Sequence, residues 1–266
     1  MLKKEFAQRK RPLIEICCCS TDDALQAYLG GADRIELNSC LESGGLTPSI
    51  GSLKLVKQSV HIPVIAMIRP RTGGFCYTPL EFETMKQDAY ALLQAGADGI
   101  AVGILNQDGS IDVDRMREML LICKEYRKEA VCHRAIDVTP DPIVAAELIA
   151  LLGFDRILTS GGKQRCLEGI DTINEMWSRF GSQIEILACG SIRPNNLAEI
   201  MSKTNVNQFH MALMKIIRDP SMTNQTVHFN GTPSEFSYTQ IDQQAVREAV
   251  RISQAKELAG ASILFR

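Results

Sequence analysis

The sequence predicts a single (β/α)₈ TIM barrel, an α/β fold in which eight parallel strands alternate with helices. Three observations lead to this prediction. The chain has 266 residues, which suits either one barrel of roughly 250 residues or two smaller domains. Three similar segments recur, GADRIEL at 31–37, AGADGIAV at 95–102 and LGFDRILT at 152–159. Short, nearly continuous apolar runs recur along the chain, as expected for parallel strands buried on both faces.

The spacing of the repeats favours one barrel over two domains. The repeated aspartates stand at positions 33, 98 and 155, so they are 65 and 57 residues apart. One strand–loop–helix–loop unit takes about 30 residues, so each interval corresponds to two such units. A doubly wound sheet is the alternative. It is disfavoured because no G-x-G-x-x-G follows the first strand and the chain has no P-loop.

Eight strands and their helices can be assigned from the apolar pattern and its end signals. Gly96 ends a predicted helix over Thr78–Ala95, and Gly153 ends another over Asp141–Leu152, since glycine is favoured just after a helix. The last helix is predicted at Asp242–Leu258. The predicted strands are Leu13–Cys17, Arg34–Leu37, Val64–Arg69, Gly99–Ile104, Ala130–His133, Arg156–Thr159, Ile184–Ala188 and Gln208–Ala212.

Two segments depart from this rhythm, although residues 1–266 are expected to form one domain. Residues 1–12 contain five of the chain's lysines and arginines, and we expect a loose basic tail there because chain termini are usually poorly ordered. Residues 215–240 are polar and carry several Asn, Gly, Pro and Ser residues. They predict an irregular excursion between the eighth strand and the last helix.

Composition and charge exclude several classes of protein. Apolar residues make up 45% of the chain and the formal net charge is −2. This apolar content excludes a disordered chain, and the small net charge argues against nucleic acid or a membrane surface as the partner. No run approaches the roughly 20 apolar residues that span a bilayer, and the first strand is too short and too charged for a signal peptide. We therefore expect a cytoplasmic protein with reduced thiols and without a nucleotide cofactor.

Charged and imidazole side chains at the strand ends form the first candidate site. Chemistry in TIM barrels takes place at the C-terminal ends of the strands, and charges inside apolar strands are costly unless they are paired or used. Histidine and glutamate can exchange protons with a substrate. The alternative is a set of structural ion pairs inside the barrel, such as Arg69 with Glu36. The candidate catalytic residues are Glu15, Glu36, Arg69, His133, Asp137 and His210.

A second candidate site binds an anion. Arginine holds carboxylate or phosphate groups bidentately, and glycine turns after the late strands of a barrel commonly present amides to phosphate. The alternative is that these glycines merely permit tight turns. The candidate anion-binding residues are Arg69, Arg71, Ser160, Gly161, Gly190 and Ser191.

The nine cysteines are the third feature of note. They contain no C-x-x-C pair, and their odd number does not suggest a disulfide scaffold. The alternation of a strand places Cys17 and Cys19 on one face, and soft thiolates favour Cu(I) or Zn(II). These two residues are therefore the candidate metal ligands. The alternative is that they are small apolar core residues, as free cysteines often are.

Six segments together carry a family resemblance. They are LIEICCCS (13–20), GADRIELNSCLESGGLTPSIG (31–51), MIRPRTGGFCY (67–77), HRAID (133–137), RILTSGG (156–162) and FHMAL (209–213). They resemble the copper homeostasis protein CutC family, a barrel family distinct from the choline lyase of the same short name. The resemblance implies a cytoplasmic TIM barrel, a homo-oligomer (dimer or tetramer), and Cu(I) binding in which Cys17 matches the family's first-strand cysteine. A second family cysteine is common where this chain has Asn38.

Two functional hypotheses remain open from the sequence. The first is a copper homeostasis protein that binds Cu(I) through Cys17 and Cys19. The second is a TIM-barrel enzyme that acts on a small phosphate- or carboxylate-bearing molecule at the barrel mouth. The expected partner is accordingly a copper ion or a small-molecule ligand. A barrel that serves as a scaffold without catalysis is a third reading, in which residues 215–240 form the contact surface.

Overall fold

Eight parallel strands close into a barrel in the order of the chain, so the predicted TIM barrel is confirmed. The computed structural model describes residues 11–221, 223 and 236–261. Each strand is followed by a helix that packs on the outside of the barrel, which buries both faces of the sheet. In the described ranges no helix is both long enough and apolar enough to cross a membrane.

The strands and helices alternate as the repeat predicts. The barrel strands are β1 (Leu13–Cys18), β2 (Arg34–Leu37), β3 (Val64–Met67), β4 (Gly99–Val102), β5 (Glu129–Cys132), β6 (Arg156–Thr159), β7 (Glu185–Ala188) and β8 (Gln208–Met211). The helices are α1 (Thr21–Leu29), α2 (Ile50–Ser59), α3 (Pro79–Gln94), α4 (Val113–Glu125), α5 (Pro142–Leu152), α6 (Ile170–Phe180), α7 (Pro194–Lys203) and α8 (Gln243–Ala261).

Local sequence signals set several of these boundaries. The Thr78 side chain accepts a hydrogen bond from the amide of Glu81, and the Glu81 side chain accepts one from the amide of Thr78, which caps the start of α3. Asp141 caps the start of α5, where its side chain accepts hydrogen bonds from the amides of Ile143 and Val144. Strand β3 ends at Met67, two residues before the predicted end at Arg69. Ile68 is buried although it lies outside the strand. The apolar run therefore continues beyond the last residue of β3.

Charged side chains fill the N-terminal end of the barrel interior. Arg34 and Arg156 are both 0% exposed. Arg34 pairs with Glu15, and it also donates a hydrogen bond to Gln208 Oε1 at 2.9 Å. Arg156 lies 3.0 Å from Glu129 and 2.8 Å from Glu185 in two ion pairs. We call Arg34, Arg156, Glu129, Glu185 and Gln208 the barrel floor, and it is packed with side chains rather than open.

Gly99 begins β4 beside this floor and has no room for a side chain. A Cβ there would lie 2.6 Å from the Glu129 carbonyl oxygen and 2.9 Å from Ile65 Cδ1. We expect Gly99→Ala to lower the free energy of unfolding by about 1–3 kcal/mol, the usual cost of overpacking. Urea denaturation measures this, with Gly74→Ala as the control because a Cβ at Gly74 meets nothing within 4 Å. Equal stability of the two variants would contradict the prediction.

The segment after β8 contains a second, two-stranded sheet. Strand β9 (Met214–Arg218) pairs antiparallel with β10 (Ser237–Ile241). The irregular excursion expected over 215–240 is therefore wrong for both flanks, where β-branched and aromatic residues such as Ile216, Ile217 and Tyr238 favour strands. The middle of that excursion, residues 224–235, lies outside the described residues.

The basic tail also differs from expectation at its last residues. The Arg11 guanidinium donates two hydrogen bonds of 2.8 Å to the Asp33 carboxylate, so this end of the tail is attached to the turn before β2. Residues 1–10 of the expected loose tail lie outside the described residues.

Candidate functional site

A pocket of about 270 Å³ lies at the C-terminal end of the barrel strands. We call it the mouth pocket. Its lining residues belong to strands β1, β2, β3, β6 and β8 and to the segments after β2, β3, β5, β7 and β8. This is the end at which TIM barrels place their chemistry. The residues predicted from the sequence that line it are Cys17, Glu36, Arg69, His133, Gly190, Ser191 and His210.

Three of these residues form a compact cluster. The Cys17 Sγ lies 3.5 Å from Glu36 Oε2, and the His210 Nε2 lies 3.8 Å from the same oxygen. One ligand atom from each residue lies within 4.8 Å of the other two. Strand register produces this grouping, because Cys17 and Glu36 are paired positions of β1 and β2. We call these three residues the metal cluster, since thiol, carboxylate and imidazole are all metal ligands.

Glu15 supports the cluster from below and does not line the pocket. Its Oε1 lies 2.7 Å from His210 Nδ1, and its carboxylate also pairs with Arg34. Burial by itself raises the pKa of Glu15, but Arg34 and His210 outweigh it and hold that pKa well below its ordinary value. Glu15 is therefore a charged partner that orients His210.

The other two titratable groups shift in the opposite direction. Burial raises the pKa of Glu36, against the opposing effect of His210. Burial lowers the pKa of His210, but the neighbouring carboxylates of Glu36 and Glu15 outweigh it and raise that pKa overall. The interior therefore contains two carboxylates, Glu15 and Glu36, whose pKa values are moved apart by their surroundings.

Cys19 does not join Cys17 in the mouth pocket. Strand β1 ends at Cys18, so the alternation that predicted a shared face does not extend to Cys19. Cys19 is half-buried, and burial raises the pKa of its thiol to about 12. Burial and the Glu36 carboxylate also raise the pKa of Cys17 well above its ordinary value, so both residues are neutral thiols at pH 7.

Arg69 anchors loops and forms no pair with Glu36, which corrects the structural alternative considered from the sequence. Its Nη1 donates to the carbonyl oxygens of Ser43 and Gly45 at 3.0 and 2.9 Å. Its Nη2 donates to the Gly73 carbonyl at 2.7 Å. The guanidinium thereby ties the loop after β2 to the loop after β3. In the described part of the chain no carboxylate balances its charge.

His133 is held by one nitrogen and unpaired at the other. Its Nδ1 accepts a hydrogen bond from the Ala135 amide at 3.1 Å. Burial, followed by the nearby Arg69 charge, lowers the pKa of His133 to about 3, so the ring is neutral and its proton resides on Nε2. Within the described ranges Nε2 has no hydrogen-bond partner.

Asp137 shapes the loops around the pocket without lining it. It accepts hydrogen bonds from the Thr159 hydroxyl at 2.6 Å, the Ser160 amide at 3.0 Å and the Gly162 amide at 3.1 Å. It also pairs with Arg134 at 2.8 Å. These contacts join the segment after β5 to the loop after β6, so Asp137 is a structural organiser of this wall.

Three of the predicted anion-binding residues lie away from the pocket. Ser160 is fully buried and its hydroxyl bonds to Asp137 and Arg134. Gly161 lies beside it, and its amide donates to Thr159 Oγ1. Arg71 pairs with Glu81 at the start of α3. None of the three lines the mouth pocket.

Several pocket residues were not among the sequence candidates. Asn38 stands just after the end of β2 at Leu37, and its Nδ2 donates to Glu36 Oε2 at 3.0 Å and to Cys17 Sγ at 3.3 Å. Its place at the C-terminal end of a barrel strand is the signal that could have found it. Phe75 and Arg193 reach the pocket from loops, and no periodic signal marks them.

Fold and site together define a TIM-barrel protein with a candidate metal or small-molecule site at its mouth. Residues 12–215 match the model of the CutC family. The chain belongs to the CutC family, as the sequence resemblance predicted.

Individual relatives agree with this assignment. The CutC family protein of Treponema denticola is 45% identical over 219 residues, which cover 82% of this chain and 88% of that protein. The human copper homeostasis protein cutC homolog is 41% identical over 210 residues, covering 79% and 76%. The crystal structure of a CutC copper homeostasis protein from Streptococcus agalactiae superposes with a TM-score of 0.70 at 32% identity, covering 75% of this chain and 97% of that one.

Proposed function

We propose that this protein takes part in copper homeostasis by binding Cu(I) in the mouth pocket through Cys17 and His210. The observation that carries the proposal is the metal cluster, in which the thiol, the imidazole and Glu36 lie within 4.8 Å of one another. The names of the human and streptococcal relatives, which refer to copper homeostasis, support the choice of copper.

The chemistry of the pocket lining supports a soft, monovalent ion. Thiolate and thioether sulfur select Cu(I), and imidazole binds copper readily. Besides Cys17, the pocket is lined by the thiol of Cys189 and the thioethers of Met67 and Met211. A site built for a hard cation would instead present several oxygen ligands, and Glu36 is the sole carboxylate among the lining residues.

Glu36 and Asn38 would assist binding rather than supply the main ligands. A thiol must lose its proton to ligate a metal, and Glu36 Oε2 is a base 3.5 Å from Cys17 Sγ. The Asn38 amide donates to the same sulfur, which stabilises negative charge there. Asn38 also stands where the family resemblance implies a second cysteine, so in this chain the imidazole of His210 would replace that thiolate.

Single cysteine variants test this donor set. We expect Cys17→Ser to weaken Cu(I) binding by more than about 100-fold, the upper range for loss of a residue that merely supports a ligand. Cys19→Ser and the exposed Cys76→Ser serve as matched controls, and we expect both to bind within about twofold of the parent chain. The measurement is anaerobic competition with a colorimetric Cu(I) chelator.

Two results would overturn the Cys17–His210 site. Unchanged Cu(I) affinity in Cys17→Ser would remove its central ligand. A loss of equal size in Cys19→Ser would support the pair of cysteines that the strand period predicts. A parallel titration with Zn(II) identifies the metal, because tighter binding of Zn(II) than of Cu(I) would contradict the assignment to copper.

Other expectations from the sequence stay predictions. They are the cytoplasmic location, the homo-oligomer, the single domain over 1–266 and the absence of nucleic acid as a partner. The alternative function as an enzyme also stays a prediction.

A further inference from the structure

The wall of the mouth pocket formed by the segments after β5 and β7 carries groups that the copper proposal does not use. They are the Nε2–H of His133, the amides of Gly190, Ser191 and Ile192, and the guanidinium groups of Arg134 and Arg193. We propose that this wall binds the carboxylate or phosphate group of a small organic anion. The proposal is independent of copper binding.

The buried imidazole of His133 is one group of this wall. His133 is 3% exposed, and it lines the pocket. Its Nδ1 edge is occupied, since Nδ1 accepts from the Ala135 amide and a Cβ on Gly103 would lie 2.6 Å from that nitrogen. The Nε2–H is left without a partner among the described residues. A buried donor without an acceptor costs about 1–3 kcal/mol. Because Nε2 is closed to solvent, a bound oxyanion would supply the acceptor after a small shift of the ring or its neighbours.

The backbone turn after β7 also belongs to this wall. Gly190 and Ser191 both have positive φ values, 101° and 55°, which turns the chain sharply before α7 begins at Pro194. In the described structure the amides of Gly190, Ser191 and Ile192 donate to no other residue. Consecutive amides in such a turn, followed by a helix N-terminus, form a concave site with partial positive charge. A serine with positive φ is uncommon, and strained backbone of this kind clusters at ligand-binding and active sites.

Arg193 brings positive charge to this wall, and it lines the pocket. Its amide donates to Asn196 Oδ1, and its guanidinium donates to the Ile192 carbonyl at 2.8 Å. Across the described residues it forms no ion pair with a carboxylate. The Arg193 guanidinium therefore gives this wall positive charge that a bound anion would neutralise.

The Arg134 guanidinium and the Gly190 turn adjoin one another. Arg134 Nη2 donates to Ser160 Oγ at 2.7 Å. A Cβ added to Gly190 would lie 2.8 Å from the Ser160 Cβ, so Ser160 adjoins the Gly190 turn. Its hydrogen bond with Arg134 therefore holds that guanidinium beside the turn. Asp137, which also binds Arg134 and Ser160, is the positioning residue for this arrangement. A pocket of about 270 Å³ admits a small molecule and no macromolecule.

Titrations with simple anions test the proposal. The probes are inorganic phosphate and acetate, each compared with chloride at equal ionic strength, and the readout is isothermal calorimetry together with the shift in Tm. We expect saturable binding of at least one probe and at least about tenfold weaker binding in Arg193→Gln and in His133→Asn, which corresponds to one lost charge-assisted or buried hydrogen bond. Asparagine keeps an acceptor near the Nδ1 position and removes the Nε2–H.

Matched controls separate this site from surface charge and from copper. Arg165→Gln removes an exposed arginine that does not line the pocket, and we expect it to bind the anion as the parent does. Cys17→Ser should retain anion binding, whereas Arg193→Gln should retain Cu(I) binding. Saturable binding of phosphate alone assigns a phosphate ligand, and binding of acetate alone assigns a carboxylate. Absence of saturable binding by both probes, or an equal loss in Arg165→Gln, would overturn the proposal.

Discussion

Replacing Arg34 by methionine is expected to lower the free energy of unfolding by about 3–5 kcal/mol, which is typical when one partner of a buried ion pair is removed. Arg34 is fully buried and pairs with Glu15, which is 2% exposed. The substitution would leave the Glu15 carboxylate with His210 as its remaining charged partner. It would also remove the donor to Gln208 Oε1. Methionine approximates the volume of the arginine stem, so the effect reports charge more than packing.

Urea denaturation followed by circular dichroism measures this loss. The matched control is Arg117→Met, which breaks a surface pair with Asp114 whose side chains are 52% and 90% exposed. Such pairs contribute about 0–1 kcal/mol. Similar midpoints for the two variants would show that the barrel floor is not held by its charges.

Replacing Asn38 by cysteine is expected to tighten Cu(I) binding by at least about tenfold, or about 1.4 kcal/mol. The Asn38 Nδ2 lies 3.3 Å from Cys17 Sγ, so a thiol at position 38 would lie close enough to share one metal ion with Cys17. A thiolate at position 38 would add a second soft ligand beside Cys17, where the Asn38 amide supplies none.

The same anaerobic competition assay measures the gain, with a thiol reductant present so that the two cysteines stay reduced. Asn195→Cys is the control, because Asn195 is exposed on α7 and does not line the mouth pocket. Affinity that rises equally in both variants would indicate binding by any added thiol. Unchanged affinity in Asn38→Cys would place the ion away from Cys17.

The fold was predictable because its strands are short apolar runs with a regular spacing. Strands β2 and β6 have the predicted bounds, since each begins with an arginine after the repeated aspartate. The sheet at β9 and β10 was missed because its strands lie among polar turn residues. Their pairing joins positions about 20 residues apart, such as Arg218 and Ser237, and contacts at that separation leave no periodic signal.

The candidate site was predictable where its residues stand in or directly after an apolar strand, as Glu36, His210 and Gly190 do, and not farther along the loops. Glu36 and His210 were found because a charge within an apolar strand is conspicuous. Arg34 and Arg156 are equally buried, but they begin their strands, whereas chemistry in TIM barrels is expected at the C-terminal strand ends. The prediction for Cys19 extended the alternation of β1 one residue too far. The end of β1 at Cys18 depends on its pairing with β2, which the sequence of β1 alone does not show.

The packed barrel floor makes the mouth pocket a cup with a closed base. Arg34 and Arg156 are inaccessible to solvent, and the position of Gly99 leaves no gap beside Glu129. A ligand must therefore leave by the opening through which it arrived. Its residence time depends on the rim, which includes Gly44 and Arg193. Changes in the floor would alter how well the protein folds, whereas changes at the rim would alter how fast its contents exchange.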